Sequence, residues 1–163
     1  MKKFILIILT AFILLSLCAC SKKAPEAEPE KIITLSTKEL ADAVLESVSF
    51  PAMTEHVSQS DIETFTGADF AYIEEITCFQ QALTVHLLEV IIIKPKDGEM
   101  EAVMDFLETR QKKLKEELAF YPSQLTSAEA MVIGNKYNIA YLICHDDAAV
   151  AEQTLTKQLT MDN

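Results

Sequence analysis

Apolar and polar residues along this chain fall into four regimes. Phe4 through Leu17 is an almost unbroken apolar run of about 14 residues, preceded by Lys2 and Lys3. Residues 21–30 (SKKAPEAEPE) have no apolar pattern at all. From Leu40 the apolar positions recur at helical spacing, as Leu40, Val44, Leu45 and Val48, behind the capping-box sequence Ser36-Thr37-Lys38-Glu39, and Pro51 stops the run. A second such box, Ser60-Asp61-Ile62-Glu63, opens a short helix that Gly67 closes, and Met53 to Gln59 between them reads as an irregular crossing.

Two stretches then change period. Residues 68–79 and 83–94 read as strands. In the second, Val85, Leu87, Ile91 and Ile93 face one way and Leu88, Val90 and Ile92 the other, the mark of a central strand. Lys94-Pro95-Lys96-Asp97-Gly98 breaks it, and Asp97 is placed to cap a long helix reaching Phe120. Its expected buried stripe is Met100, Val103, Leu107, Leu114, Leu118 and Tyr121, with Tyr121-Pro122-Ser123 as its end. Met131 to Ile133, the turn residues Gly134-Asn135-Lys136, and Tyr137 to Cys144 form a hairpin signal. Asp146 or Asp147 caps a last helix with Ala148, Ala151, Leu155 and Leu159 on one face. The expected fold is therefore α+β, in the order α-α-β-β-α-β-β-α. A four-stranded, mainly antiparallel sheet is covered by helices in a two-layer sandwich. Periodicity does not supply the strand order.

The N-terminal regime carries the most specific chemistry. An apolar run of this length is a secretory signal rather than a span, which needs about 20 residues. It ends Leu17-Cys18-Ala19-Cys20, a small residue followed by cysteine. This resembles the lipobox of bacterial lipoproteins, which implies cleavage after residue 19 and a lipid on the Cys20 sulfur. Cys18 fits less well, because Leu17 before it is bulky. Residues 1–19 are thus expected to be a lipoprotein signal peptide, and 20–35 the lipidated cysteine with a flexible tether. Residues 36–163 form a single domain, anchored at the extracytoplasmic face of the cell membrane. Fully extended, about 15 tether residues reach roughly 50 Å.

Charge narrows the partners. The chain has 14 basic and 25 acidic side chains, a formal net charge of −11. Removing the signal, and with it Lys2 and Lys3, makes this −13. Such a balance disfavours nucleic acid and an anionic bilayer surface.

No reactive constellation emerges from the mature chain. His145 follows Cys144 directly, so in a strand the two side chains point to opposite faces. Cys78 and Cys144 read as buried hydrophobes, with a Cys78–Cys144 disulfide as the less favoured alternative. His145, Asp146 and Asp147 lie where a strand meets a helix and are the weak candidates for a metal, capping being the stronger reading. His86 and Glu89 are on opposite strand faces, while Glu74-Glu75 and Glu116-Glu117 are adjacent acids that do not face one another. No catalytic residue and no cofactor is implied. The expectation is a non-catalytic module that binds a protein, a wall polymer or a small ligand. The alternative is an envelope hydrolase whose acidic residues are gathered only by folding.

The element order, the sequence Phe65-Thr66-Gly67-Ala68-Asp69 before the first expected strand and a charged helix ending near Tyr121-Pro122 together resemble a known bacterial family. It is the uncharacterised domain-of-unknown-function family numbered 4358, found in short lipoproteins of Gram-positive anaerobes. The resemblance runs from about Ser36 to Leu159 and implies an α+β lipoprotein domain. It brings no catalytic or binding residues with it.

Overall fold

The computed structural model describes residues 31, 33–50, 54–82 and 86–162. The expected signal peptide 1–19, the expected lipid site Cys20 and the expected tether up to residue 30 lie outside the described residues, as do Pro51 and Val85.

The chain runs α1 (Thr37–Ser47), β1 (Thr54–Val57), α2 (Gln59–Thr66), β2 (Ile73–Gln81), β3 (Glu89–Pro95), α3 (Met100–Lys113), a π-helical turn (Leu114–Leu118), α4 (Pro122–Ala130), β4 (Val132–Lys136), β5 (Ile139–Cys144) and α5 (Ala148–Met161). The class is mixed α and β, with five α-helices and five strands among the described residues. The sheet has five strands rather than four, in the order β1-β2-β3-β5-β4, and every pairing is antiparallel.

The additional strand is β1, in the stretch read as an irregular crossing. Thr-Glu-His-Val has one apolar residue and no alternation, and it extends because it pairs with Cys78 to Gln81 at the sheet edge. The additional helix is α4. Pro122 reads as a stop, but proline suits the first helical position, where no N–H is needed. The Gln124 side-chain oxygen reaches back to accept from the backbone N–H groups of Phe120 (2.8 Å) and Tyr121 (2.9 Å), which fixes the start.

Helices lie on both faces of the sheet, so the expected two layers become three. On one face α3, with contributions from α2 and α4, packs on Cys78, Ile91, Ile93, Ala140 and Leu142. On the other, α1 and α5 pack on Val90, Ile92, Ile139, Tyr141 and Ile143. Strand β3 sits at the centre with Val90 to Ile93 fully buried, as its two-sided apolar run requires. Each such isoleucine stabilises by about 1.5–3 kcal/mol through burial alone. The α5 stripe Ala148, Ala151, Leu155 and Leu159 is buried to the last residue.

Caps show where local signals were strong. Ser36 and Glu39 complete the capping box at α1. Helix α2 starts two residues before the expected Ser60 box, with the Ser58 hydroxyl accepting from the Asp61 N–H, and Gly67 ends it at φ +71°. Asp97 does not cap α3: Glu99 precedes its first residue and makes no side-chain cap bond. The hairpin is present, but its turn is Tyr137-Asn138 rather than Gly134-Asn135-Lys136.

The folded unit also reaches further back than Ser36. Ile33 is buried with α1 and α5. The Asp162 carboxylate accepts from the backbone N–H and hydroxyl of Thr34 and from the Leu35 N–H, while Lys31 Nζ donates to the Thr160 carbonyl at 2.6 Å. Residues assigned to the end of the tether are therefore clipped to the end of α5.

This clip is expected to add to the acid sensitivity of the fold. The hydrogen bond from the Thr34 hydroxyl, then those from the Thr34 and Leu35 N–H groups, hold Asp162 below the usual carboxylate range. The Ser36 N–H and hydroxyl do the same for Glu39. A carboxylate depressed in the folded state contributes stability that is complete above its unfolded value, about 4, and is lost as pH falls through the lower folded value. Urea unfolding from pH 7 to pH 3 should therefore show a flat midpoint down to about pH 5 and a decline below it. Asp162→Asn should flatten that decline and leave the Glu39 part; an unchanged acid limb would show that the clip contributes nothing.

Candidate functional site

Helix α3 is amphipathic, with Val103, Phe106 and Leu107 buried against the sheet, a stripe that Leu114 of the π-helical turn continues, and Arg110 falls within it. A guanidinium there needs a partner. Glu89, the first residue of the otherwise apolar β3, supplies it: Arg110 Nε donates to Oε1 at 2.8 Å and Nη2 to Oε2 at 2.6 Å. The pair is 6% and 3% exposed. Its fork-on-fork geometry satisfies both carboxylate oxygens, which offsets part of the desolvation cost. Burial pulls the Arg110 guanidinium downward, but the hydrogen bonds and charge of Glu89 outweigh it and the net shift is upward. The Phe65 ring lies 5.0 Å from the guanidinium carbon.

This pair forms the floor of a cleft of about 480 Å³. One wall is the end of the β1–β2 ribbon, with Glu55, Gln80 and Gln81, and His86 stands beyond it. The other wall is the π-helical turn, through Leu114 and Leu118, and the start of α4, through Phe120, Tyr121 and Gln124. Turns of this kind recur at functional sites, where the extra residue re-aims side chains. Here the helix breaks at Ala119, and the next two residues are left in solvent, Phe120 at 74% and Tyr121 at 59% exposure. In the same cleft the Gln81 side-chain oxygen is buried and has no donor among the described residues. A smaller, more apolar cleft of about 370 Å³ lies on the far side of Arg110, between the Thr66–Ala68 corner and α3.

The residues singled out from the sequence fall elsewhere. His145 is buried against the Phe50 ring, with centroids 4.8 Å apart, and its Nδ1 accepts from the Asp147 backbone N–H at 2.9 Å. Asp146 accepts from the Ser127 hydroxyl at 2.6 Å, and Asp147 precedes α5 without making a side-chain cap bond. No side chain among the described residues caps α5, and the His145 and Asp146 side chains turn to separate partners. Among the described residues no three His, Cys, Asp or Glu side chains converge as a metal site would require.

Cys78 and Cys144 are both free and buried. Strand β3 runs between their strands, Cys78 pairing with Ile91 and Cys144 with Glu89. Two strand spacings of about 4.8 Å exceed what a disulfide spans. Burial, then the Glu89 charge, pushes both thiols up, Cys144 to about 12, with Arg110 opposing. Both are therefore protonated at neutral pH and poor nucleophiles. The Cys144 thiol donates to the Leu87 carbonyl at 3.0 Å. Glu74 pairs with Lys94 and Glu75 accepts from the Thr37 N–H, so these adjacent acids diverge. His86 is exposed at the cleft mouth and Glu89 is buried in its floor.

The Glu89–Arg110 pair is what pattern reading missed. Its signal was present, as one acid inside the apolar run Leu87-Leu88-Glu89-Val90 and one base at the stripe position between Leu107 and Leu114.

No curated protein and no solved structure matches the chain. The model of one protein family does, over residues 46–145. That span begins within α1, holds the whole sheet, both clefts and the ion pair, and stops where α5 is about to begin, short of the Ser36 to Leu159 range expected from the pattern. The match covers more than half of the sequence, and the chain belongs to the family described as Domain of unknown function (DUF4358).

Proposed function

We propose that this protein is a lipid-anchored module at the extracytoplasmic face of the cell membrane, and that it binds its ligand in the Glu89–Arg110 cleft without transforming it. The observation that carries the binding role is the pairing of two solvent-exposed aromatic side chains, Phe120 and Tyr121, with a buried polar floor in one concavity. Exposed aromatics lose little entropy on docking and contribute large contact area. The non-catalytic reading rests on how the polar groups are used. Both Glu89 oxygens are held by Arg110, both thiols are protonated, and His145 is committed to a backbone N–H.

The anchor is the lipid at Cys20, by the Leu17 to Cys20 lipobox layout. With residues 33–35 clipped to α5, about 11 residues separate the anchor from the domain, a reach of at most about 35–40 Å. The binding face therefore works close to the membrane. No helix among the described residues is long and apolar enough to cross one.

Feeding cells a clickable fatty acid should label the protein and leave it in the membrane fraction, and Cys20→Ala should abolish both. A labelled Cys20→Ala chain would refute the assignment. For the cleft, a photo-crosslinker at Tyr121 should capture a reproducible ligand that is lost in Phe120→Ser while the melting temperature stays unchanged. Undiminished capture would place binding elsewhere.

A further inference from the structure

We infer that the cleft selects a cationic, hydrogen-bond-donating group, an alkylammonium or guanidinium such as a lysine or arginine side chain carries; this rests on the cleft being the binding site. Three features of its lining converge on that chemistry. The first is an acceptor without a donor. Gln81 Oε1 is buried and has no donor among the described residues, and such a group costs about 1–3 kcal/mol until a donor arrives. The terminal amide torsion is soft, so a small rotation presents the oxygen to a ligand.

The second is the balance of charge. Arg110 has given Nε and Nη2 to Glu89, so the floor is close to neutral as a unit. Glu55 projects from β1 opposite Gln80 and makes no ion pair among the described residues. The uncompensated charge of the lining is therefore negative. His86 at the mouth and the Tyr121 phenol are the other titratable groups of the lining. The net charge of −11 adds a long-range attraction for cations.

The third is the rim. Phe120 and Tyr121 are exposed, and an aromatic face attracts a cation through its quadrupole, by about 0.5–1 kcal/mol in exposed sites and more once water is excluded. An anion finds the opposite at each point: a carboxylate, an orphan acceptor and aromatic faces.

The probes are N-acetyl-lysine amide, N-acetyl-arginine amide, their neutral isostere N-acetyl-norleucine amide and N-acetyl-glutamate amide, titrated into the full chain in detergent and followed by NMR shift perturbation. The two cationic amides should bind at least ten-fold tighter than norleucine, with shifts at Glu55, Gln80, Gln81 and Tyr121. Glu55→Gln should cut that preference at least three-fold at unchanged melting temperature. A pentapeptide with central lysine flanked by glycines distinguishes the two sources of such a group. Tighter binding than the single amide identifies a peptide, and equal binding identifies a free small cation; either outcome supports the inference. Equal affinity for norleucine and lysine, or a preference for glutamate, overturns it while leaving the cleft as the binding site. If no probe of any charge shifts these resonances, the cleft reading itself fails and the inference with it.

Discussion

Arg110→Ala is expected to destabilise the domain by about 3–5 kcal/mol, enough to leave much of the chain unfolded at 37 °C if its total stability is ordinary. The reason is the carboxylate left behind. Glu89 is 3% exposed and both of its oxygens bond to the lost guanidinium. Without Arg110 it must either remain charged in an apolar layer or take up a proton. Arg110→Lys should recover only a small part, because an ammonium cannot bridge both oxygens and sits at the wrong reach. The decisive comparison is Glu89→Gln with Arg110→Met. Replacing both charges by groups of similar volume removes the unmet desolvation, so this double variant should lie within about 1–2 kcal/mol of the parent, far above Arg110→Ala. Urea unfolding with far-ultraviolet circular dichroism measures each. If the double variant is as unstable as the single one, the pair is stabilising in its own right. The cleft would then be built around a strength rather than a tolerated cost.

That outcome bears on function, because a buried ion pair is often no more stabilising than hydrophobic residues of similar volume. Arg110 lines both clefts and Glu89 the larger one, so the pair stands where they meet. On the binding role proposed above, the pair presents the cleft with a fixed and nearly neutral polar floor.

The same pair marks the boundary of what the sequence discloses. Elements whose own residues decide their structure were legible. The two-sided apolar run of β3, the α5 stripe and the Ser36 capping box each act within one element. Elements decided by distant residues were not. β1 is polar and extends only because the edge of β2 offers hydrogen-bond partners. The start of α4 depends on Gln124 capping a proline turn, which outweighs the breaker reading of Pro122. The clip of residues 31–35 needs Asp162, more than 120 positions away. The Glu89–Arg110 site needs a strand and a helix to meet, and each residue alone looks like an interruption of an apolar pattern. Helices on both faces follow from β3 being apolar on both sides, a step open to sequence reading once the strand is taken as central.

Gly134 carries the second large effect, and it corrects the hairpin turn. Gly-Asn-Lys between β-rich runs reads as a turn, but Gly134 lies inside β4, paired with Tyr141 of β5. The turn is Tyr137-Asn138, with Tyr137 at φ +53°, an uncommon conformation for an aromatic residue. Glycine is used at 134 for close approach: a Cβ there would lie 2.6 Å from the Tyr141 oxygen and 2.8 Å from its Cζ. The ring cannot yield easily, because Tyr141 is buried against α1 and α5 and its hydroxyl donates to Glu152 at 2.7 Å. Two effects then oppose each other in Gly134→Val. A β-branched residue in a strand gains up to about 1 kcal/mol over glycine from propensity and reduced unfolded-state entropy. Overpacking costs about 1–3 kcal/mol and should win, leaving a net loss near 1–2 kcal/mol. Tyr141→Ala removes the obstacle. It is itself costly, by about 3–5 kcal/mol through the cavity it leaves. In that background, however, Gly134→Val should become neutral or stabilising, giving a coupling of at least about 1 kcal/mol in a double-mutant cycle. If the valine costs the same with and without the Tyr141 ring, the glycine serves the backbone rather than the contact. The strand would then need a different account of why glycine stands at that position.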